Sequence, residues 1–166
     1  MAAALPALYG RGSPATAQGT AGPPPFDAGR FLGFAYSSAV LQERASTLAA
    51  TRDTRPEVKA FAGDMARFRG TQLDRLRAVA QERGLQPPKE EFEHRVVLEN
   101  LEPLDYLALS RRYAEVQVQA LEQEIQSYET AEHGADEGMK RFAGEILPQL
   151  QQRLGAARRM LQAVRP

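Results

Sequence analysis

A glutamate followed three residues later by a histidine is the spacing with which helical-bundle proteins hold transition metals, and the chain carries it once, as Glu91-Phe92-Glu93-His94. Such a centre needs carboxylate and imidazole groups converging from several helices, and no second copy is present to face the first. Glu90, Glu93 and His94 are therefore at most an adventitious divalent site. The other histidine, His133, abuts Gly134, a position where it interacts with a helix C-terminus. Ser37, Ser38, Ser46, Ser110 and Ser127 have no histidine at a helical spacing, so no nucleophile with its base is legible and no catalytic residue is named. Cysteine is absent, which removes thiol catalysis, disulfides, iron–sulfur clusters and Cys-type zinc sites. Neither a phosphate-binding glycine loop nor a dinucleotide fingerprint is present, and no cofactor is implied. Tyr36, Tyr106, Tyr113 and Tyr128 are candidates to line a pocket, although aromatic residues at core spacing are usually core.

Arg69 stands out for a different reason. It falls on the line Ala62, Met65, Leu73, Leu76, so its charge points toward the interior or its margin. A buried guanidinium without an anion costs several kcal/mol or more. Glu43, Glu124 and Glu145 are the candidate partners; the alternative is an arginine whose stem packs while its head stays wet.

The elements that position these residues are helices. Phe31, Phe34, Ser38, Leu41, Ala45 and Leu48 alternate by three and four behind Asp27, a good N-cap. Thr54-Arg55-Pro56-Glu57 reads as a capping box with proline in the first turn, opening a second helix that stops near Gly84 and Pro87-Pro88. A third carries Leu107, Tyr113, Val118, Leu121, Ile125 and Tyr128 and ends at His133-Gly134. A fourth carries Met139, Phe142, Ile146, Leu150, Leu154, Ala157 and Leu161, with Pro148 expected to kink it near Gly144. Residues 84–104 connect the halves, and Lys89–Leu101 can form a short extra helix. VKAFAGDM at 58–65 is echoed by MKRFAGEI at 139–146, so each of two similar hairpins puts a Phe in the core and an Ala-Gly step where another helix can approach. The expected fold is all-α: a ferritin-like four-helix bundle of two αα-hairpins joined by a longer crossover.

A chain of 166 residues suits one domain with a real core. Lys and Arg number 21 and Asp and Glu 21, so there is no basic surplus to favour nucleic acid. No apolar run is long enough for a transmembrane helix. Residues 1–26 differ from the domain at 27–166: they are rich in Ala, Gly, Pro and Thr and almost uncharged. Ala15-Thr16-Ala17 has the small-x-small form of a secretory cleavage site, although a basic leading region is missing; a plain disordered leader is the alternative.

Pro56-Glu57-Val58-Lys59-x-Phe61-Ala62-x-x-Met65, Tyr113-x-x-x-Gln117-Val118 and Phe142-Ala143-x-x-x-Leu147-Pro148-x-Leu150 together resemble the bacterial domain of unknown function 4142 family. Members are ferritin-like and often labelled "predicted outer membrane protein", and the resemblance covers about Phe31 to Leu161. It implies export, hence a periplasmic or envelope location, with the cytoplasm as the alternative. It also implies histidines that this chain lacks: the second-helix Asp-His is here Phe68-Arg69, and the others fall at Leu121 and Arg153. A guanidinium cannot coordinate a metal and repels cations.

The expected function is therefore that of a non-enzymatic exported bundle binding a protein, an envelope component or a small ligand. Alternatives are a ferritin-like metal or redox protein and an intracellular stress protein. Leu107, Leu109 and Val116 widen the apolar stripe of the third helix, which would suit a homodimer.

Overall fold

The computed structural model describes residues 22, 24–52 and 54–166, so the expected leader lies almost wholly outside the described residues. Among those residues there are five helices and no strand: α1 (Ala28–Thr51), α2 (Pro56–Glu82), α3 (Phe92–Leu101), α4 (Tyr106–Glu132) and α5 (Glu137–Val164). The architecture is a helical bundle. α1 pairs with α2 and α4 with α5 as hairpins, α1 packs on α4, α2 meets α5 more sparingly, and α3 lies against α1 and α4.

Local chemistry explains most of the helix ends. Asp27 accepts from the Arg30 N–H at 3.1 Å and Asp136 from the Met139 N–H at 3.1 Å, satisfying donors the first turns leave free. The capping box expected at Thr54 does not form. Thr54 lies one residue too early; its hydroxyl donates back to the Ala49 carbonyl at 2.7 Å, while Arg55 is the N-cap and Pro56 opens α2. α2 ends in a Schellman arrangement: the Leu85 N–H donates to the Ala80 carbonyl and the Gly84 N–H to the Gln81 carbonyl. This requires the left-handed φ of 65° that Gly84 adopts. α5 continues as one helix through Pro148.

α1 is the most enclosed helix, with every residue from Ser37 to Gln42 buried rather than a single stripe. The physical cause is that it has neighbours on three sides, α2, α4 and α3, which small residues such as Ala35, Ala39 and Ala45 permit. The apolar interior divides into two clusters. One centres on Phe31, Tyr128, Phe142 and Leu150; the other holds Leu41, Leu98, Leu109, Tyr113, Val116 and Met160. Leu109 and Val116, expected to widen an apolar stripe, are buried in the chain's own core. Phe26, the last residue of the expected leader, packs on Phe31 at 5.8 Å between ring centroids.

The two echoed segments hold different stations. Phe142 is buried edge-on to Phe31, whereas Phe61 is half-buried and leans on Tyr113 at 6.2 Å. Close packing falls on Ala62 and Ala143, both fully buried. Their glycines do not mark a helix approach: a Cβ at Gly63 would meet only the Arg67 side chain at 3.7 Å, and one at Gly144 only Glu132 at 3.5 Å.

Candidate functional site

The interior carries one connected polar cluster, drawn from three helices. Arg69 on α2 and Glu124 on α4 are both wholly excluded from solvent. Each sits on its helix's core-facing line, Arg69 one turn beyond Met65 and Glu124 between Leu121 and Tyr128, so folding carries both charges inside. They meet fork to fork: Nη1 donates to Oε1 at 2.9 Å and Nη2 to Oε2 at 2.6 Å. Gln42 of α1 accepts from Arg69 Nη2 at 2.8 Å and donates to Glu124 Oε2 at 2.9 Å. Ser38, one turn earlier, accepts from Gln42 at 2.9 Å and donates to Glu124 at 3.3 Å. On the other side Arg69 Nη1 donates to Gln72, whose amide donates to the Tyr128 hydroxyl at 2.9 Å. Arg69 Nε alone of its nitrogens has no partner.

Around this cluster the electrostatics are those of a dry interior. Burial pushes the Tyr128 phenol far above its ordinary range, with the Glu124 charge adding to the effect. Burial likewise raises Tyr113, whose hydroxyl shares a 2.7 Å bond with Ser46. Both phenols stay neutral. Arg153 of α5 stands at the margin, its Cζ 3.7 Å from the Phe68 ring centroid, and the Arg69 Cζ lies 5.2 Å from the same ring. Burial holds Arg153 below the usual arginine range; Asp64, 3.3 Å away, opposes this and the like charge of Arg69 reinforces it.

Of the three carboxylates weighed as partners of Arg69, only Glu124 reaches it. Glu43 accepts from Thr47 at 3.2 Å, and Glu145 pairs with Arg75. The grouping of Glu90, Glu93 and His94 is not assembled. Glu90 pairs with Arg44 at 3.2 Å, Glu93 is exposed, and His94 Nδ1 lies 2.7 Å from Ser37 Oγ. Among the described residues no three of His, Asp and Glu gather as a metal would require. The donor set inside the bundle does not fit a transition metal either, because its one buried carboxylate is already taken by a guanidinium. His133 Nδ1 bonds the Glu129 carbonyl at 2.8 Å, closing α4. The four tyrosines do not share a pocket: Tyr113 and Tyr128 are core, Tyr36 accepts from Arg77, and Tyr106 is half exposed.

Sequence reasoning missed Gln42 and Gln72. Both lie on core-facing lines, four residues from Ser38 and three from Arg69, which was the available signal. It also missed the pairing of Ser37 with His94, because the two are brought together by α3 folding over α1 and by nothing in their spacing. No described helix is long and apolar enough to cross a membrane.

These features define a class first: an all-α helical-bundle protein with a buried Arg–Glu pair hydrogen-bonded to neighbouring glutamine and serine side chains. The chain belongs to the family described as Domain of unknown function (DUF4142), which matches residues 13–160. No curated protein and no solved structure matches it.

Proposed function

We propose that this chain is a non-enzymatic, exported bundle of ferritin-like topology that works by binding, and that its interior is closed to metal. The supporting observation is the engagement of Glu124. Its Oε2 accepts from Arg69 Nη2, Gln42 and Ser38 and its Oε1 from Arg69 Nη1, so a guanidinium lies against both oxygens of the carboxylate and its charge opposes a cation there. In this reading Arg69 and Arg153 occupy places where relatives carry histidine, and charge pairing takes over what a bound ion would do for the core. The partner is a protein, an envelope component or a small ligand met at the surface, in the periplasm or at the envelope.

Metal analysis of the purified chain tests this reading. Iron, manganese and zinc are expected far below one equivalent after dialysis; a stoichiometric ion that survives dialysis and raises the unfolding temperature would overturn it in favour of the metal or redox alternative. Cell fractionation with N-terminal sequencing tests the location. A chain recovered from the cytoplasm with its leader intact would defeat export.

A further inference from the structure

α3 is the most lightly held helix of the bundle. Its buried residues are His94, Leu98 and Leu101, a single line along the helix, and its other positions are half-buried or exposed. It also stands off its neighbours on both flanks. A groove of about 460 Å³ runs between it and α1, with Leu48 and Thr51 on one side and Leu98 and Glu102 on the other. A smaller one of about 100 Å³ lies toward α4, where His94 and Val97 share the lining with Leu41 of α1 and Val116 of α4.

Polar contacts pin its two ends. At the first, the Glu91 N–H donates to Ser37 Oγ at 2.6 Å and Arg44 pairs with Glu90 at 3.2 Å. At the second, Arg52, the C-cap of α1, donates from Nη1 to the Glu102 carbonyl at 2.5 Å and to the Leu104 carbonyl at 2.6 Å. The links at these ends, 86–91 and 102–105, are outside any helix and mostly exposed. Tyr106, where the second link enters α4, has a φ of 41°, a left-handed conformation that is costly for a residue with a side chain.

We propose that α3 is a latched cover, which swings away as a unit on these two links while the four long helices stay packed. A segment held by few buried apolar contacts opens at less cost than the whole domain unfolds. The long helices keep their own partners without it, α1 on α2 and α4, and α4 on α5. Arg52 is the latch: one guanidinium nitrogen ties the end of α1 to two carbonyls just past α3, and opening frees both and lets Tyr106 leave its left-handed conformation. What opening delivers is surface. Leu41 and Val116, now 2% and 3% exposed, reach water together, so the chain shows an apolar strip between α1 and α4 only when unlatched. The cover concerns neither metal nor location and stands or falls apart from the proposed function.

The test is native-state hydrogen exchange of the full chain by NMR, at urea concentrations below the unfolding transition. Relative to unstructured rates, amides of 96–101 should exchange about a hundredfold or more faster than the buried amides of α1 and α4, with little urea dependence, because a small opening exposes little surface. Equal protection and an equal urea slope in α3 and α4 overturn the cover. Thiol labelling then separates swinging from fraying. The chain has no cysteine, so Val116→Cys sets one thiol beneath α3 and Ile146→Cys one in the other core cluster. With a reagent too large for the 100 Å³ cavity, Val116→Cys should label far faster than Ile146→Cys. Arg52→Gln should speed the first about tenfold, the worth of one charge-assisted hydrogen bond, and leave the second unchanged. Labelling of Val116→Cys no faster than of Ile146→Cys, or equal acceleration of both by Arg52→Gln, means that α3 leaves only when the bundle unfolds, and overturns the proposal.

Discussion

Two arginines face the same aromatic ring from different worlds. Arg69 is sealed inside, and its two terminal nitrogens are spoken for by Glu124, Gln42 and Gln72. Arg153 sits where α5 meets α2, stacked on Phe68, its carboxylate partner Asp64 more than half exposed. A guanidinium deep in a bundle demands a built surround, because taking both charges from water costs more than an unassisted contact returns. At the margin Arg153 makes do with the Phe68 face, the Gln149 carbonyl at 3.3 Å and a solvated acid, and its Nε has no partner. The comparison separates a group that the fold is organised around from one that the fold tolerates.

The sharpest way to break this comparison is to remove one interior partner. Arg69→Met or Glu124→Met alone should lower unfolding free energy by about 3–5 kcal/mol, since each strands a buried charge. The double variant should be less damaged than either single one. It should not return fully to wild type, because Gln42 and Gln72 then lose their bonds to the pair and keep only Ser38 and Tyr128 in an apolar setting. Urea unfolding of the four proteins gives the cycle. If either single change costs under about 1 kcal/mol, the cluster is not the dry, interlocked unit described.

How legible was this from sequence? The charge at Arg69 could be placed inside because 62, 65, 69, 73 and 76 form one helical line. Its partner could not be chosen among Glu43, Glu124 and Glu145, since that depends on how neighbouring helices are rotated and staggered, which periodicity within one helix does not encode. The same limit explains Ser37 and His94, and the enclosure of α1, which follows from where α3 lies. The misplaced cap at Thr54 has a local cause: Pro56 fixes the first turn and moves the N-cap to Arg55, beyond the reach of the threonine side chain. Helix existence was readable where apolar periodicity is long; the polar contacts were not, because they are made between elements far apart in the chain.

A middle-sized effect sharpens the contrast between interior and surface charge. Asp136 caps α5, and its carboxyl is held below the ordinary range first by the Met139 N–H and then by Arg83. Asp136→Ala should cost about 1 kcal/mol near neutral pH. Because the folded pKa is depressed, that contribution is complete above the unfolded value of about 4 and is lost as pH falls through the folded one. The gap between variant and wild type should therefore close on acidification; a gap unchanged well below pH 3 would mean that the loss is one of packing, not of the ionised cap.

The smallest effect belongs to Arg153. Burial and the like charge of Arg69 both disfavour its charged form, and Asp64 opposes them from a solvated position. Arg153→Met keeps the apolar cover over Phe68 while removing the repulsion, so unfolding free energy should move by less than about 1 kcal/mol in either direction. High salt should weaken the Arg153–Asp64 contribution in wild type and change the variant less, while leaving the cost of Arg69→Met almost intact, since buried pairs are poorly screened. If Arg153→Met instead destabilises as strongly as Arg69→Met, the seam between α2 and α5 belongs to the same interlocked cluster, and the line drawn between the two arginines disappears.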